Sequence, residues 1–326
     1  MKISERVMEI LETNRGKAVS GEELAAAIGV SRNAVWKSIE SLRKSGVKIY
    51  AKTKKGYFLP ESDTSLSKEG ILALLGDTPL TVDVRHTVTS TNDLLKQLAI
   101  DGAPEGYALI AAEQTAGKGR LGRKFYSPDG SGVYISLLLR PKMKAEDSLF
   151  ITTSAAVAVS RAIETVSEGR IKPKIKWVND IYVNSKKVCG ILTEASVSFE
   201  SGMLDHAILG IGINITTPEG DFPEDIKGIA TSLFGRMEQG NIRNRLTAQV
   251  LSELTKLLDD PSRDDYLEEY RKRQMLIDRD VNVIKGERKR AARALGIDER
   301  ARLLVKYEDG SREALISGEV SVKPKA

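Results

Sequence analysis

Two stretches of this chain carry residue types that do chemistry. Gln114-Thr115-Ala116-Gly117-Lys118-Gly119-Arg120-Leu121-Gly122-Arg123-Lys124-Phe125 packs three glycines and four cations into one short segment. Glycine lets backbone approach a bulky anion, and Lys and Arg neutralise it, so the segment reads as a phosphate-covering loop. Gly117, Gly119 and Gly122 fit the G-x-G-x-x-G dinucleotide spacing, but that motif requires a helix to follow. Here Phe125-Tyr126-Ser127-Pro128-Asp129-Gly130-Ser131-Gly132 turns into the strand-like Val133 to Leu139, and the loop lacks Gly-Lys-Ser/Thr. Both the Rossmann and the Walker readings are excluded. The second stretch is Lys176-Trp177-Val178-Asn179-Asp180, followed by Lys186-Lys187-Val188-Cys189-Gly190-Ile191-Leu192. It places a carboxylate, an amide and lysines around a hairpin expected at Asn184-Ser185. Taken singly, Asn179-Asp180 is a turn pair and Lys187 a solvated lysine. Ser90-Thr91-Asn92, alone, is an N-cap for the helix that follows.

The elements that must position these residues fall into two or three cores, as 326 residues with 41% apolar content require. Net charge is +5, and residues 1–60 hold 12 Lys and Arg against 6 Asp and Glu, leaving 38 against 39 beyond them. An anionic partner, nucleic acid before membrane, is expected at that end. Ile3, Val7, Met8, Ile10 and Leu11 recur at helical spacing. Ser20-Gly21-Glu22-Glu23 is a capping box launching Leu24 to Ile28, and Gly29 ends that helix. Ser31 caps a third helix with Val35, Ile39 and Leu42 inward and Arg32, Asn33 and Lys37 outward. Val47 to Tyr50 and Tyr57-Phe58-Leu59 flank the basic tip Lys52-Thr53-Lys54-Lys55-Gly56. These features predict a winged helix-turn-helix over residues 1–63, with Ser31, Arg32, Asn33, Lys37, Lys52, Lys54 and Lys55 at operator DNA.

Pro60 to Ser65 reads as a linker. Residues 64–274 alternate strands and helices, predicting an α+β domain with a mixed sheet. Strands are expected at Val82 to His86, Ala108 to Ala112, Val133 to Leu139, Ile175 to Trp177 and Ala207 to Ile215. Helices are expected at Asp93 to Ile100, Ala155 to Val166, Arg245 to Leu258 and Tyr266 to Gln274. Residues 275–326 read as a small barrel, with strands at Val281 to Ile284, Arg302 to Tyr307 and Glu313 to Ile316. No apolar run reaches the roughly 18 residues of a spanning helix, and Met1 to Ile10 lacks a signal-peptide core. No membrane association is expected. The single cysteine, Cys189, reads as a buried strand residue and fits a reducing cytoplasm. With only His86 and His206, no metal-ligand cluster is legible.

In order and spacing, Ser90-Thr91-Asn92, the Gly117 to Phe125 loop, Lys176 to Asp180 and Lys186 to Leu192 resemble the biotin-protein ligases. With the winged helix, the chain resembles the bifunctional biotin ligases that also repress biotin genes. The resemblance implies ATP and Mg2+ as cofactors, biotin as substrate, and the biotin carboxyl carrier protein of a carboxylase as acceptor. It also implies an SH3-like C-terminal domain and a homodimer when adenylate is bound, the adenylate acting as corepressor. Ser90, Thr91, Asn92 and Gln114 would address the ureido end of biotin, with Lys118, Gly119, Arg120 and Lys187 completing its site and Gly210 to Asn214 forming a wall. Lys187 matches the active-site lysine beside carboxylate and phosphate. Arg120 and Arg123 match the cations laid over phosphate, and Phe125 the aromatic bordering adenine. Asn179 and Asp180 would meet ribose and phosphate. Asp180 is also a candidate for organising Mg2+ or receiving the acceptor lysine's proton. Trp177 reads as core.

Two positions depart from the family pattern. Lys118 stands where arginine is common, and Val178 where proline follows the tryptophan, which loosens the turn before Asn179. Two other readings stay open: a biotin-sensing transcription factor without catalysis, and a lipoate ligase of the same fold class.

Overall fold

The computed structural model describes residues 2–198, 200–236, 240–259, 264–286, 288–316 and 319–322. Met1 and residues 323–326, at the ends of the first and last expected domains, lie outside the described residues. The first unit contains helices α1 (Ile3–Thr13), α2 (Gly21–Ile28) and α3 (Arg32–Lys44) and the hairpin β1 (Tyr50–Lys52) and β2 (Gly56–Phe58). Val7, Leu11, Leu24, Val35, Ile39 and Leu42 form its core, as helical spacing requires. Ser20 and Glu23 make the expected capping box at α2, and Ser31 Oγ accepts from the Ala34 amide at α3. The hairpin is tied to the helices by the Val19–Tyr57 bridge, and Gly56 permits it, since a Cβ there would lie 2.1 Å from Val19 O.

α4 (Lys68–Leu75) packs between α1 and α8 (Ile242–Asp259), with Ala73 against the first core and Ile71 in the next. The central sheet is ordered β3 (Thr81–Val88), β4 (Tyr107–Gln114), β5 (Gly132–Leu139), β9 (Leu204–Asn214), β8 (Lys186–Val197), β7 (Asp180–Val183) and β6 (Lys174–Lys176). Only the β3–β4 pair is parallel, so the sheet is mixed, as expected. One face carries α6 (Leu149–Val166), α8 and α9 (Asp264–Arg273), and the other carries α5 (Thr91–Ile100). α7 (Glu224–Lys227) lies in the segment joining β9 to α8. The expectation that no apolar run has spanning length needs correction. Residues Ala145–Val166 have the length, and an 18-residue window within them has a mean hydropathy of 1.3, but 72% of that window is buried in the fold. That helix is apolar because it is the sheet's core helix.

The last unit is an antiparallel sheet ordered β13 (Arg312–Leu315), β12 (Leu303–Tyr307), β11 (Arg288–Ile297), β10 (Asp280–Lys285) and β14 (Glu319–Val322). It docks onto the central domain through the buried indole of Trp177, which donates to Ala301 O at 3.0 Å. Its core is continuous with that of the central domain.

Candidate functional site

The site begins at the β7–β8 hairpin. Asn184 and Ser185 take left-handed φ values of 49° and 63°, the geometry of a tight primed turn. A register shift between Ile181 and Tyr182 then breaks the ladder and re-aims Lys187. Instead of continuing a regular ladder, the Lys187 amide donates to Ile229 O and its carbonyl accepts from Thr231 N, both at 2.8 Å. Lys187 Nζ lies 2.6 Å from Asp180 Oδ1. That oxygen is buried and makes no directed hydrogen bond, so the contact is an ion pair.

The turn before Asp180 is held at several points, which answers the expected looseness at Val178. Val178 is buried and its carbonyl accepts from the Tyr270 hydroxyl at 3.0 Å. Asn179 Nδ2 donates to Ile191 O at 2.6 Å, and Asn179 O accepts from the Ile191 amide at 3.0 Å. With Trp177 anchored on Ala301, the turn is fixed by β8, α9 and the last domain together. Trp177 is core, as read, although it also borders the cavity.

The glycine-rich segment folds back on itself. Gly119 N donates to Arg123 O at 2.7 Å and Phe125 N to Gly117 O at 2.9 Å, with Leu121 and Gly122 at positive φ at the tip. Arg120 Nη1 donates to Asn179 Oδ1 at 3.1 Å, fastening the loop to the turn. Lys118 pairs with Asp93 at 2.7 Å, and that hydrogen bond raises its pKa. The departure at Lys118 therefore has its own structural partner on α5. Arg123 borders the same cavity. The Phe125 ring rests on glycine: a Cβ at Gly212 would lie 2.4 Å from it, and one at Gly190 3.1 Å. Its other neighbour is Tyr134, edge-on at 6.4 Å between centroids.

At the far end, Ser90 caps α5 and Thr91 and Asn92 are buried in its first turn, so the cap reading holds, and all three also line the cavity. Gln114 Oε1 accepts from the Thr91 amide at 2.8 Å and from its hydroxyl at 3.0 Å. Gln114 Nε2 donates to Ser127 Oγ at 3.0 Å. Ser90, Gln114, Arg120, Phe125, Asn179 and Lys187 all line one cavity, so every separated motif converges. Gly210, Ile211, Gly212 and Asn214 line it too, as the wall reading expected.

Residues outside those motifs complete it. Phe222, Ile226, Ile229 and Ala230 come from the β9–α8 segment, and Val320 from the last domain. Ser136 and Glu194 hold Asn92 from beneath. The sequence did carry a signal for Ser136, a lone polar residue in the apolar run Val133 to Leu139, since buried polar groups demand partners, whereas Glu194, beside Thr193, stands out by nothing local.

The chain matches the Biotin/lipoate A/B protein ligase family over residues 84–214, an HTH domain over 4–58, and the Biotin protein ligase C terminal domain over 276–323. The "Bifunctional ligase/repressor BirA" of Bacillus subtilis is 40% identical over 232 residues, covering 70% of this chain and 69% of that protein. That of Escherichia coli is 30% identical over 314 residues, 94% of each chain. This chain belongs to the bifunctional biotin ligase/repressor family. A solved biotin protein ligase from Aquifex aeolicus, in complex with biotin and ATP, superposes with a TM-score of 0.61 at 30% identity, covering 74% of this chain and 98% of that one.

The family's HTH match falls on the basic unit. Arg32, Asn33 and Lys37 are exposed on α3, and Lys52, Lys54 and Lys55 are exposed at the hairpin tip. Lys54 sits in the left-handed region at φ 60°. Two further groups of this surface escaped the sequence reading: Trp36 is 51% exposed on α3, and Tyr50 is as exposed on β1, its ring 5.9 Å from Phe58.

Proposed function

We propose that the chain joins biotin to a carrier-protein lysine in two steps within this one cavity, and that its winged helix represses transcription when the intermediate is bound. The observation that carries this reading is the convergence of Ser90, Gln114, Arg120, Asn179 and Lys187 on a single cavity. Biotin requires short donors and acceptors at its ureido end, an apolar wall along its tail, and a cation near its carboxylate. Ser90, Thr91 and Gln114 supply the first, Gly210 to Gly212 the second, and Lys187 the third.

In the first step a biotin carboxylate oxygen attacks the ATP α-phosphorus, and the bond to pyrophosphate breaks. In the second, the acceptor amine attacks the acyl carbon of biotinyl-5′-AMP, and AMP leaves. Negative charge gathers beside Lys187 in both, where a compact fixed cation stabilises the transition state without reorganising. Arg120 and Arg123 cover the phosphate, Phe125 borders the adenine, and Asn179 and Asp180 face the ribose and phosphate. Asp180 is the carboxylate placed to take the amine's proton. Mg2+ in such sites is held by one or two carboxylates plus substrate phosphates. Among the described residues no group of three metal-ligating side chains exists, and Asp180 is already paired with Lys187. A metal delivered on ATP would be held mainly by the phosphates, with Asp180 the carboxylate that would meet it, and would supply further charge neutralisation there.

The β9–α8 segment lines the cavity and leads to α8, so bound adenylate would order it and favour a homodimer matched to a two-fold operator. The acceptor is the biotin carboxyl carrier protein of a carboxylase. The buried free thiol of Cys189 fits the cytoplasm. The test is pyrophosphate release on mixing the protein with ATP and biotin, and separately with lipoate. Release with biotin alone is expected. Release with lipoate instead would move the reading to a lipoate ligase, and tight biotin binding without release would make the chain a sensor.

A further inference from the structure

Asn92 was expected to read the ureido group, yet its amide is used within the protein. Its Oδ1 lies 2.6 Å from Ser136 Oγ, and its Nδ2 donates to Glu194 Oε2 at 2.7 Å. Asn92 sits over one register row of the sheet, Ser136 on β5, Gly210 on β9 and Leu192 on β8. A Cβ at Gly210 would lie 2.2 Å from Asn92 Oδ1, so glycine there is what lets the amide settle against the strands. Asn92 is 4% exposed and Ser136 fully buried. The outer oxygen of Glu194 is ion-paired with Lys96 on α5.

We propose that Glu194, held by Lys96, is a positioning residue that sets the donor–acceptor polarity of the biotin-ureido pocket. The argument rests on the biotin reading above and on counting protons. An ionised carboxylate only accepts, so Asn92 must turn its NH2 toward Glu194 and its carbonyl toward Ser136. Ser136 then must donate to Asn92. Ser136 Oγ also lies 2.8 Å from Thr91 Oγ1, and one hydroxyl proton cannot serve both. The Thr91 proton is therefore directed to Ser136 Oγ or to Gln114 Oε1. Gln114 in turn accepts from the Thr91 amide and donates to Ser127. One acceptor-only group at the sheet surface thus fixes the donor–acceptor sense of Asn92 and Ser136, and restricts Thr91 to donating where Gln114, oriented by the Thr91 amide, and Ser136 accept. A site so preorganised discriminates by which of its partners donates, because a mismatched ligand leaves buried polar groups unpaired.

Glu194→Gln is nearly isosteric but can donate as well as accept, so it releases the polarity without removing volume. It is expected to raise the KM for biotin about tenfold, the scale of a lost charged hydrogen bond. kcat and the KM for ATP should stay within about twofold of wild type on the same grounds. The deciding readout is 2-iminobiotin, whose cyclic guanidinium presents N–H donors where biotin presents the ureido oxygen. Glu194→Gln should shrink the preference for biotin over iminobiotin, whereas simple loosening would weaken both ligands equally. Lys96→Met, which leaves the carboxylate but frees it, should move both readouts in the same direction by a smaller factor. If wild type uses biotin and both variants keep its KM and its preference, or weaken the two ligands in parallel, Glu194 is not a polarity-setting residue. If wild type does not use biotin at all, the function itself is misread.

Discussion

Lys187 and Asp180 face each other across the β7–β8 hairpin at 2.6 Å, with side-chain exposures of 29% and 20%. Both side chains are partly exposed, so screening keeps the pair's contribution to stability small although Asp180 Oδ1 itself is buried. The pair holds a cation on one side of the cavity, which in the proposed reaction would be shared with an incoming carboxylate and phosphate.

Replacing Lys187 by Ala is therefore expected to cost adenylation far more than folding. Loss of one preorganised electrostatic group lowers kcat by about a hundredfold to a thousandfold in comparable sites. The melting temperature should change by only a few degrees, because the Lys187 backbone keeps its bonds to Ile229 and Thr231. Pyrophosphate release and thermal melting, measured on the same preparation, check both halves. A folded variant with near-normal release would remove Lys187 from the mechanism.

How far the site was legible in the sequence depended on what made each residue unusual. Glycines and cations crowded together, or a capping box before apolar spacing, are local signals, and they placed the loop, α2 and α3 correctly. The basic hairpin was readable for the same reason. Strand β11, Arg-Lys-Arg-Ala-Ala-Arg-Ala-Leu-Gly-Ile, was missed because its outer half is exposed and its buried positions before Ile297 are alanines, which leave no alternating apolar trace. α4 was missed because it is short, and β14 because four residues give too brief an alternation to register. The contributions of Phe222, Ile229 and Val320 to the cavity are products of tertiary folding. Nothing near Phe222 or Ile229 in sequence marks them, and that segment is brought in by the pairing of Lys187 with residues 229–231 and by the bonds of Asn214 and Ile215 to residues 231–234.

Arg120→Gly should make the intermediate escape while leaving its synthesis largely intact. Arg120 ties the glycine-rich loop to the Asn179 turn at 3.1 Å, and Leu121 at the tip is 75% exposed. A glycine-rich loop with so exposed a tip can act as a lid, keeping water from a reactive anhydride. Without the tie, biotinyl-5′-AMP should diffuse out and acylate any exposed lysine. Incubating variant and wild type with biotin, ATP and an unrelated lysine-rich protein, then probing for attached biotin, reads the leak. Equal labelling of the bystander by both proteins, with adenylate still formed, would show that the contact does not retain the intermediate.

The hairpin lysines should act through charge and not through base recognition. Lys52, Lys54 and Lys55 are exposed, beyond the core, and carry no described ion pair, so replacing all three by Ala spares the fold. Each phosphate neutralised contributes about −0.9 to the slope of log affinity against log salt. The triple variant is expected to flatten that slope by about 3 while weakening all DNA sequences alike. Fluorescence-anisotropy titrations of operator and random duplexes across a salt series measure both. A slope unchanged from wild type would place the hairpin away from the DNA backbone.

Gly212→Ala should separate nucleotide binding from biotin binding. Gly212 lies on β9 beneath the Phe125 ring, where a Cβ would sit 2.4 Å from one ring carbon and 2.8 Å from another. Pushed off β9, the ring has Gly190 of β8 and the buried, edge-on Tyr134 as neighbours and the cavity as its open side, so it would tilt into the cavity. Overpacking of this kind costs about 1 to 3 kcal/mol of stability. The tilted ring would occupy the place given to adenine, so the KM for ATP should rise about tenfold, equivalent to roughly 1.4 kcal/mol. Biotin affinity should fall by a smaller factor, since Gly212 is one part of the tail wall while Thr91 and Gln114, at the ureido end, are anchored to each other and to Ser127 rather than to the ring. Titration calorimetry with each ligand, alongside Phe125→Leu as a ring-loss control, distinguishes the two. If Gly212→Ala weakens biotin as much as ATP, Phe125 does not border the adenine.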